Sequence, residues 1–408
     1  MESLKMAEST DTPAKTLAIL ANEENREIRR AVAANPNTPA ATLERLASDE
    51  SLPVRFAVAA HPDTPRPALD RMARSEDWHV RRALAKNRSE SFLLEALAAE
   101  RDRHIRQTVA QNPRAPASVL ERLAKDEDKE IRLSVAGNPN SPAAALEVLA
   151  RDEDAEIRRK ALVHPNAPIP ALAILAQDKD KEVRLALAKH PRAPASVLET
   201  LARDGDEEIP RWVAEHPNTP GPVLETLARN GNEAIRQGVA GNKNTPVAIL
   251  ESLARDTQAS VRRTVSWNAN LPIPALRTLA QDEDEMVRKS VAANRRTPID
   301  LLQELARDSK KIAFSVVRNS SAPLALLETM MGHEDPTVRG HLANNPNASL
   351  AMLEILASDE SDFVRELLAS SPNTPTDLLK RLAEDPDKTV RRRAIERLAE
   401  QQGNGTGS

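Results

Sequence analysis

The sequence contains no cysteine and no tyrosine, and aromatic residues make up only 2% of its 408 residues. Without cysteine, the chain can form no disulfide, thiolate metal site, iron–sulfur cluster or cysteine nucleophile. The scarcity of aromatic residues indicates a core of Leu, Val, Ile and Ala. Such a core suits thin layers of helices better than one large globular core.

Strong net charge and long apolar runs are also missing. The formal net charge is -4 and the pI is near 6.2, so bulk charge does not favour nucleic acid or a membrane as the partner. No stretch approaches about 18 consecutive apolar residues, and the N-terminal residues contain no apolar signal core. We therefore expect a cytoplasmic protein without a membrane partner.

The chain does contain a repeat, which residues 115–140 carry almost complete as APASVLERLAKDEDKEIRLSVAGNPN. Its pattern is Thr-Pro-x-x-x-Leu-Glu-x-Leu-Ala-x-Asp-x-x-x-x-Val-Arg-x-x-Val-Ala-x-Asn-Pro-Asn. The pattern occurs fifteen times, and two of the steps between repeats are one residue shorter than the others. Self-similarity at a period of about 26 residues predicts a solenoid of stacked repeats.

Each repeat predicts two short helices. The first begins at Thr-Pro, where we expect Thr to cap the helix and Pro to take the first helical position. Leu43 and Leu46 then lie on one face. The second helix should begin about two residues before Ile131 and end at Asn138, because a residue preceding Pro disfavours helix. Helices this short need their neighbours for stability.

The full pattern closely resembles the variant leucine-rich repeat (LRV) family, and its Pro, Leu-x-x-Leu, Asp and Val-Arg core is similar to HEAT repeats. The resemblance covers residues 12–399. It implies an all-α, right-handed α-solenoid of about fifteen two-helix repeats, with the Val-Arg helices on the concave side. In some LRV-like proteins one helix of each pair is 3₁₀. The repeat period is long for that family, and the cysteines of its iron–sulfur module are absent.

The repeat also predicts the domain organisation. Residues 1–11 should be a polar lead-in, residues 12–399 one helical-repeat domain, and residues 400–408 a flexible tail. No linker or change of composition interrupts the array, so we expect one domain.

Arg follows the Ile or Val of the second helix in thirteen repeats, and most repeats place Asp six positions earlier, as in Asp126 with Arg132 and Asp152 with Arg158. This ladder could be a basic stripe for phosphates or acidic peptides. The HEAT resemblance instead implies a structural ladder between layers. We favour the structural role because Ala313, which replaces Arg, follows a one-residue deletion in the same turn.

The residue that closes the second helix is Asn in nine repeats and His in four, as in Asn138 and His164. Equivalent side chains in neighbouring layers should be about 10 Å apart. A zinc ion needs its ligand nitrogens within about 2.1 Å. We therefore expect these side chains to bond the loop backbone, and we expect no metal site and no cofactor.

The positions that vary on the second helices are basic with scattered aromatics. They form either an ordinary solvated face or a binding surface, and large aromatics and Arg are frequent anchors in binding surfaces. The candidate binding residues are Arg211, Trp212, Arg263, Trp267, Lys289, Phe314 and Arg318.

Three classes of function remain. The repeat favours a scaffold that binds a protein or peptide on the surface formed by the Val-Arg helices. Nucleic-acid binding through the same basic residues is the alternative. An enzyme is disfavoured because carboxylate pairs cannot be distinguished from the repeated acidic turns. The identity of the partner and the oligomeric state do not follow from the sequence.

Overall fold

The structure, a computed structural model, describes residues 2–87 and 90–403, and all of the helices in that part are α-helices. The 3₁₀ alternative implied by the LRV resemblance is therefore not adopted there. Two compact units divide the chain, Met1–Leu201 and Ala202–Ser408.

The first unit is built from a succession of short helices. They are α1 (Glu2–Glu8), α2 (Ala14–Leu20), α3 (Arg26–Ala34), α4 (Ala40–Leu46), α5 (Leu52–Ala60), α6 (Arg66–Ala73), α7 (Trp78–Asn87), α8 (Ser91–Leu97), α9 (Arg103–Gln111), α10 (Ala117–Leu123), α11 (Lys129–Gly137), α12 (Ala143–Leu149), α13 (Ala155–Leu162), α14 (Ile169–Leu175), α15 (Lys181–Ala188) and α16 (Ala195–Leu201).

The second unit continues the alternation. Its helices are α17 (Glu208–Glu215), α18 (Gly221–Asn230), α19 (Glu233–Gly241), α20 (Val247–Leu253), α21 (Ala259–Val265), α22 (Ile273–Ala280), α23 (Glu285–Ala293), α24 (Ile299–Leu305), α25 (Lys310–Val317), α26 (Leu324–Met330), α27 (Pro336–Leu342), α28 (Leu350–Leu356), α29 (Asp362–Ser370), α30 (Thr376–Leu382) and α31 (Lys388–Gly403).

Even-numbered helices are the first helices of the repeats, and odd-numbered helices are the second. Within each unit a second helix packs on the second helices before and after it, as α9 does on α7 and α11. First helices form a row of their own, as α10 does with α12, and a first helix also packs on the second helix of its own repeat, as α10 does on α11. The chain is therefore an all-α repeat protein whose layers stack in a solenoid manner.

The periodic apolar positions form the core between the two rows. Leu43 and Leu46 of α4 are at most 2% exposed, and Val54 and Val58 of α5 are fully buried. Each such side chain contributes about 1.5–3 kcal/mol through burial. No helix in the described residues is both long and apolar enough to cross a membrane.

The first helices begin differently from our expectation. In α4, Pro39 is the N-cap residue, with extended backbone and no side-chain capping bond, and the helix begins after it. The Thr38 hydroxyl instead donates to the Val32 carbonyl at 2.6 Å, at the end of α3. Thr therefore ties the first helix to the preceding second helix, because Pro already supplies the backbone angles of the cap.

Both ends of the chain are more helical than we expected. The lead-in contains α1, and Asn35 Nδ2 donates to the carbonyls of Ala7 and Ser9 at 2.9 and 2.8 Å. Thus α1 packs on α3 as one second helix packs on the next. At the other end, residues 400–403 continue α31 rather than starting a tail. The closing position there is Arg397, and no Pro follows to end the helix. Residues 404–408 lie outside the described residues.

Candidate functional site

The Arg ladder connects neighbouring repeats through the next repeat's carboxylate. Arg132 Nε and Nη2 donate to the two carboxylate oxygens of Asp152, 20 residues later, at 2.6 and 3.2 Å. Its Nη1 donates to the backbone carbonyls of Asp126 and Glu127 at 2.8 and 3.1 Å. Asp126 and Arg132 therefore meet through the backbone of Asp126, whereas the ion pair is made with Asp152.

We call each Arg, together with the carboxylate that it binds in the next repeat, a rung of the ladder. The next rung repeats this arrangement. Arg158 binds both carboxylate oxygens of Asp178 at 2.6 and 2.8 Å, and its Nη1 donates to the Asp152 carbonyl at 2.8 Å. The side chains of this pair are each only 5% exposed. The hydrogen bond to Asp178 raises the pKa of Arg158 above its usual value, against the opposing effect of burial. All three guanidinium nitrogens that could bind a phosphate are therefore already engaged.

The Asn and His residues that close the second helices form a second ladder. Asn138 Nδ2 donates to the carbonyls of Ala110 and Asn112 at 2.7 and 2.9 Å. His164 Nε2 lies 2.9 Å from the Asn138 carbonyl, and its Nδ1 accepts from the backbone N–H of Asn166. Both ring nitrogens thus bond to the backbone, as the amide of Asn does. Among residues 2–87 and 90–403, no three His, Asp or Glu side chains are grouped as metal ligands.

Two rungs of the Arg ladder are broken, and in each of them both the Arg and the carboxylate of the following repeat are missing. Pro210 and Ala313 occupy the Arg position, and the corresponding carboxylate positions of the following repeats hold Asn230 and His333. A surface cavity lies at each break. One of about 530 Å³ is lined by Pro210 and Asn230 among others, and one of about 500 Å³ by His333 and the turn before α25. At both breaks the Arg and its carboxylate are absent together, which avoids leaving one buried charge without its partner.

A third variation shows how a rung can survive. The position that should supply the carboxylate for Arg55 holds Ser75, which cannot accept an ion pair. Arg55 Nη2 instead reaches the Asp77 carboxylate at 2.8 Å. The sequence signal for each partner was the spacing of 20 residues that separates Arg132 from Asp152. Our prediction used the shorter spacing of six residues within one repeat, which joins Asp126 to Arg132.

Phe314 is the centre of the candidate binding residues that the structure brings together. Its ring lies edge-to-face with His341, with centroids 4.6 Å apart, and the Arg318 guanidinium carbon is 5.4 Å from its centroid. Lys289, one second helix earlier, lines the same surface cavity of about 280 Å³ as Phe314. The second helices α23, α25 and α27 therefore form one basic site with an aromatic wall, which we call the Phe314 site.

The other four candidates lie elsewhere in the second unit. Arg211, on α17, pairs with Glu215 at 3.3 Å, which neutralises its charge locally. Trp212 follows it and is partly buried. Arg263 is exposed on α21, and Trp267, just beyond that helix, is 55% exposed. The structure places none of these four in the cavity beside Phe314.

Two lysines at the Phe314 site were not among the predicted residues. Lys310 and Lys311, at the start of α25, line the cavity together with Asp335. Lys311 Nζ donates to Glu285 at 2.9 Å, and that bond is the largest influence lowering the pKa of Glu285. Asp335 caps α27, and the Thr337 hydroxyl and N–H lower its pKa. The signal in the sequence is the pair of consecutive lysines in the shortened turn before Ile312.

The stacked helical pairs define a solenoid repeat protein, and part of the sequence matches a known repeat family. The model of the family described as Leucine rich repeat variant matches residues 26–51, 54–77, 103–128 and 130–154. These four segments are similar to repeats of that family, and all four lie in the first unit. No curated protein matches the chain.

Several solved structures are similar over long stretches. A leucine-rich repeat variant described as a novel repetitive structural motif is 26% identical, with a TM-score of 0.40, and the match covers 54% of this chain and 87% of that one. Yeast importin-beta is 12% identical with a TM-score of 0.37, covering 99% of this chain and 73% of that one. An importin beta structure is 15% identical, with a TM-score of 0.36 and coverages of 99% and 68%.

Proposed function

We propose that this chain is a non-enzymatic repeat scaffold that binds an acidic segment of a protein partner at the Phe314 site. The observation that carries the proposal is the cavity between Phe314 and Lys289, Lys310 and Lys311. A carboxylate of the partner would face the lysines, and an apolar side chain would pack on the ring.

The charges at the site support an anionic partner. Lys289 has no ion pair within the described residues, and Lys310 Nζ is 3.8 Å from Asp335, a weak and exposed contact. Lys311 is already paired with Glu285, so Lys289 and the weakly held Lys310 supply the positive charge of the cavity lining, against the carboxylate of Asp335. Some basic residues on other second helices are neutralised, as Arg393 is by Glu366 and Glu396. A partner with clustered acids therefore finds a charge complement beside an aromatic ring at the Phe314 site.

The aromatic wall supports a specific contact. Phe314 is only partly exposed, and His341 and Arg318 hold its ring from two sides. A ring fixed in this way loses little conformational entropy on binding, which favours it as an anchor. The invariant ladders use their polar groups to stack the repeats, so the variable residues are left for recognition.

The proposal is tested by the binding of a fluorescent acidic peptide that contains Phe or Leu among Glu residues, measured by anisotropy on the full chain. We expect Lys289→Glu and Phe314→Ala each to weaken binding about tenfold or more. The chain supplies matched controls. Arg159 and Phe56 occupy the same repeat position in the first unit, so Arg159→Glu and Phe56→Ala should leave the affinity unchanged.

Equal losses in the control variants, or no loss in either test variant, would exclude the Phe314 site. Nucleic acid is the competing partner, and generic duplex DNA and RNA should be titrated over a salt series. Tighter binding to nucleic acid than to the peptide, with a steep fall as salt rises, would favour that alternative.

A further inference from the structure

The first helices of the second unit carry a row of exposed aliphatic side chains. The residue that opens each of five successive first helices, α20 to α28, is a large aliphatic and between 40% and 56% exposed. We call this row the aliphatic ridge: Val247, Ile273, Ile299, Leu324 and Leu350. Single exposed aliphatic residues are ordinary, but five at one repeat position in consecutive layers form a continuous surface feature.

The first unit has no such row at the same position. Ala opens α2, α4, α10, α12 and α16, while Arg66 and Ser91 open α6 and α8. Only α14 opens with a large aliphatic residue, Ile169. Since Ala is compatible with the fold at this position, the large side chains of the second unit are not required for helix formation or stacking.

A row of carboxylates runs beside the ridge. The residue four positions later, which is the ridge's neighbour on the same helix face, is Glu251 in α20, Glu328 in α26 and Glu354 in α28. These three have no ion pair among the described residues, and the same position holds Gln303 in α24. Arg277 of α22, the one base in the row, is already paired with Asp300.

The surroundings of the ridge limit what can cover it. A second copy of this chain would bring its own carboxylates against this row, which is unfavourable. The basic residues Lys243 and Arg295 lie in the loops that precede α20 and α24, on the N-terminal side of the ridge. The Glu row lies on its C-terminal side, so that side is the acidic one. The surface therefore matches an apolar partner with a basic flank.

We propose that the aliphatic ridge binds a cationic amphipathic helix of another protein, laid across the first helices. Neighbouring layers are about 10 Å apart, and two helical turns rise about 10.8 Å. A helix with an aliphatic residue at every seventh position would thus place one side chain beside each layer. Its Lys or Arg residues would face Glu251, Glu328 and Glu354. This site lies on the opposite row of helices from the Phe314 site and does not depend on it.

The probe is a labelled synthetic peptide of about four heptads, with Leu at positions a and d and Lys at e and g. Binding to the full chain is measured by anisotropy. Replacing all five ridge residues by Ala, the residue used in the first unit, should weaken binding about tenfold or more. Unchanged thermal unfolding would show that the variant is folded. Lys289→Glu should leave this affinity unchanged, which separates failure here from failure at the Phe314 site.

Two further variants make the test decisive. The double variant Glu328→Lys with Glu354→Lys should also weaken binding of the probe. The double variant Ala117→Ile with Ala143→Ile extends the row from Ile169 and should add a binding site in the first unit. Equal affinity of the wild type and the five-Ala variant would overturn the proposal. Equal binding of a heptad peptide with Pro at its centre, which cannot form a continuous helix, would overturn the proposal that the partner segment is helical. Concentration-dependent dimerisation abolished by the Ala variant would assign the ridge to a second copy.

Discussion

The rung at Arg132 and the rung at Ala313 show two outcomes of the same repeat position. In the first unit, Arg132 joins its own turn to the Asp152 carboxylate of the next repeat. In the second unit, Ala313 makes no such bond, and His333 lines an open cavity of about 500 Å³. Lys310 lines both that cavity and the Phe314 site. The broken rung thus lies beside the candidate binding surface.

A second difference separates the two units. The first contains the four segments that match the family model, and mostly Ala opens its first helices. The second contains both broken rungs, the Phe314 site and the aliphatic ridge. Both positions at which the Arg of the ladder is lost therefore lie in the unit where our proposals place binding, although the first unit also departs from the repeat at Ser75.

Acidification should break the intact rungs together, and we expect this to be the largest effect. The hydrogen bond from Arg339 is the main cause that lowers the pKa of Asp359. Burial would raise the pKa of Asp385, but its bonds, led by the one from Arg365, keep it below the usual value. Groups with a lowered folded-state pKa stabilise the fold above the unfolded pKa and lose that contribution as pH falls through the folded value.

Urea unfolding followed by circular dichroism should therefore give a constant midpoint between about pH 7 and pH 5, and a falling midpoint below about pH 4. The ionic strength must be held constant, because salt also weakens ion pairs. A midpoint that does not change down to about pH 3 would contradict a stabilising role for the rungs.

Removal of one buried rung should have the next largest effect. Arg158→Ala leaves the carboxylate of Asp178 buried without its partner and two backbone carbonyls without a donor. We expect a loss of about 3 kcal/mol in the free energy of unfolding. Arg159→Ala, at the exposed neighbouring position, is the control and should change stability by less than about 0.5 kcal/mol. Equal effects would mean that the rung is no more important than surface charge.

Restoring the broken rung at Ala313 and His333 should have the smallest effect on the free energy of unfolding. Ala313→Arg alone would bury a guanidinium without a carboxylate, and His333→Asp alone would add an unpaired acid to the cavity. Combined, they should show a favourable coupling of about 1 kcal/mol in a double-mutant cycle of unfolding free energies. If the changes in unfolding free energy of the two single variants simply add in the double variant, the shortened turn before α25 has lost the geometry of the rung.

The repeat pattern predicted much of the fold because it is encoded locally. The buried Leu43 and Leu46, the start of α11 two residues before Ile131 and its end before Asn138 all follow from helical periodicity and Pro placement. Our prediction of the cap at Thr38 was wrong because a hydroxyl has two competing targets, its own helix and the preceding one. Only the packing of α4 against α3 determines which of them lies within reach.

The candidate site was less predictable. Lys289, Phe314 and Arg318 share a repeat surface that the sequence marks as variable, and the structure gathers them around one ring. Arg211 and Trp267 belong to the same variable set but lie on other layers. Periodicity assigns a residue to a face of its helix, whereas the distance between residues in different repeats depends on how the layers stack.

The sequence by itself determined the repeat, its two helices and the residues that fill the core, because burial and helix periodicity act within a single repeat. The tertiary structure decided which Asp each Arg binds. In a repeated sequence, Asp126 before Arg132 and Asp152 after it are equally regular signals. Stacking places the carboxylate of Asp152, and only the backbone carbonyl of Asp126, against the guanidinium of Arg132.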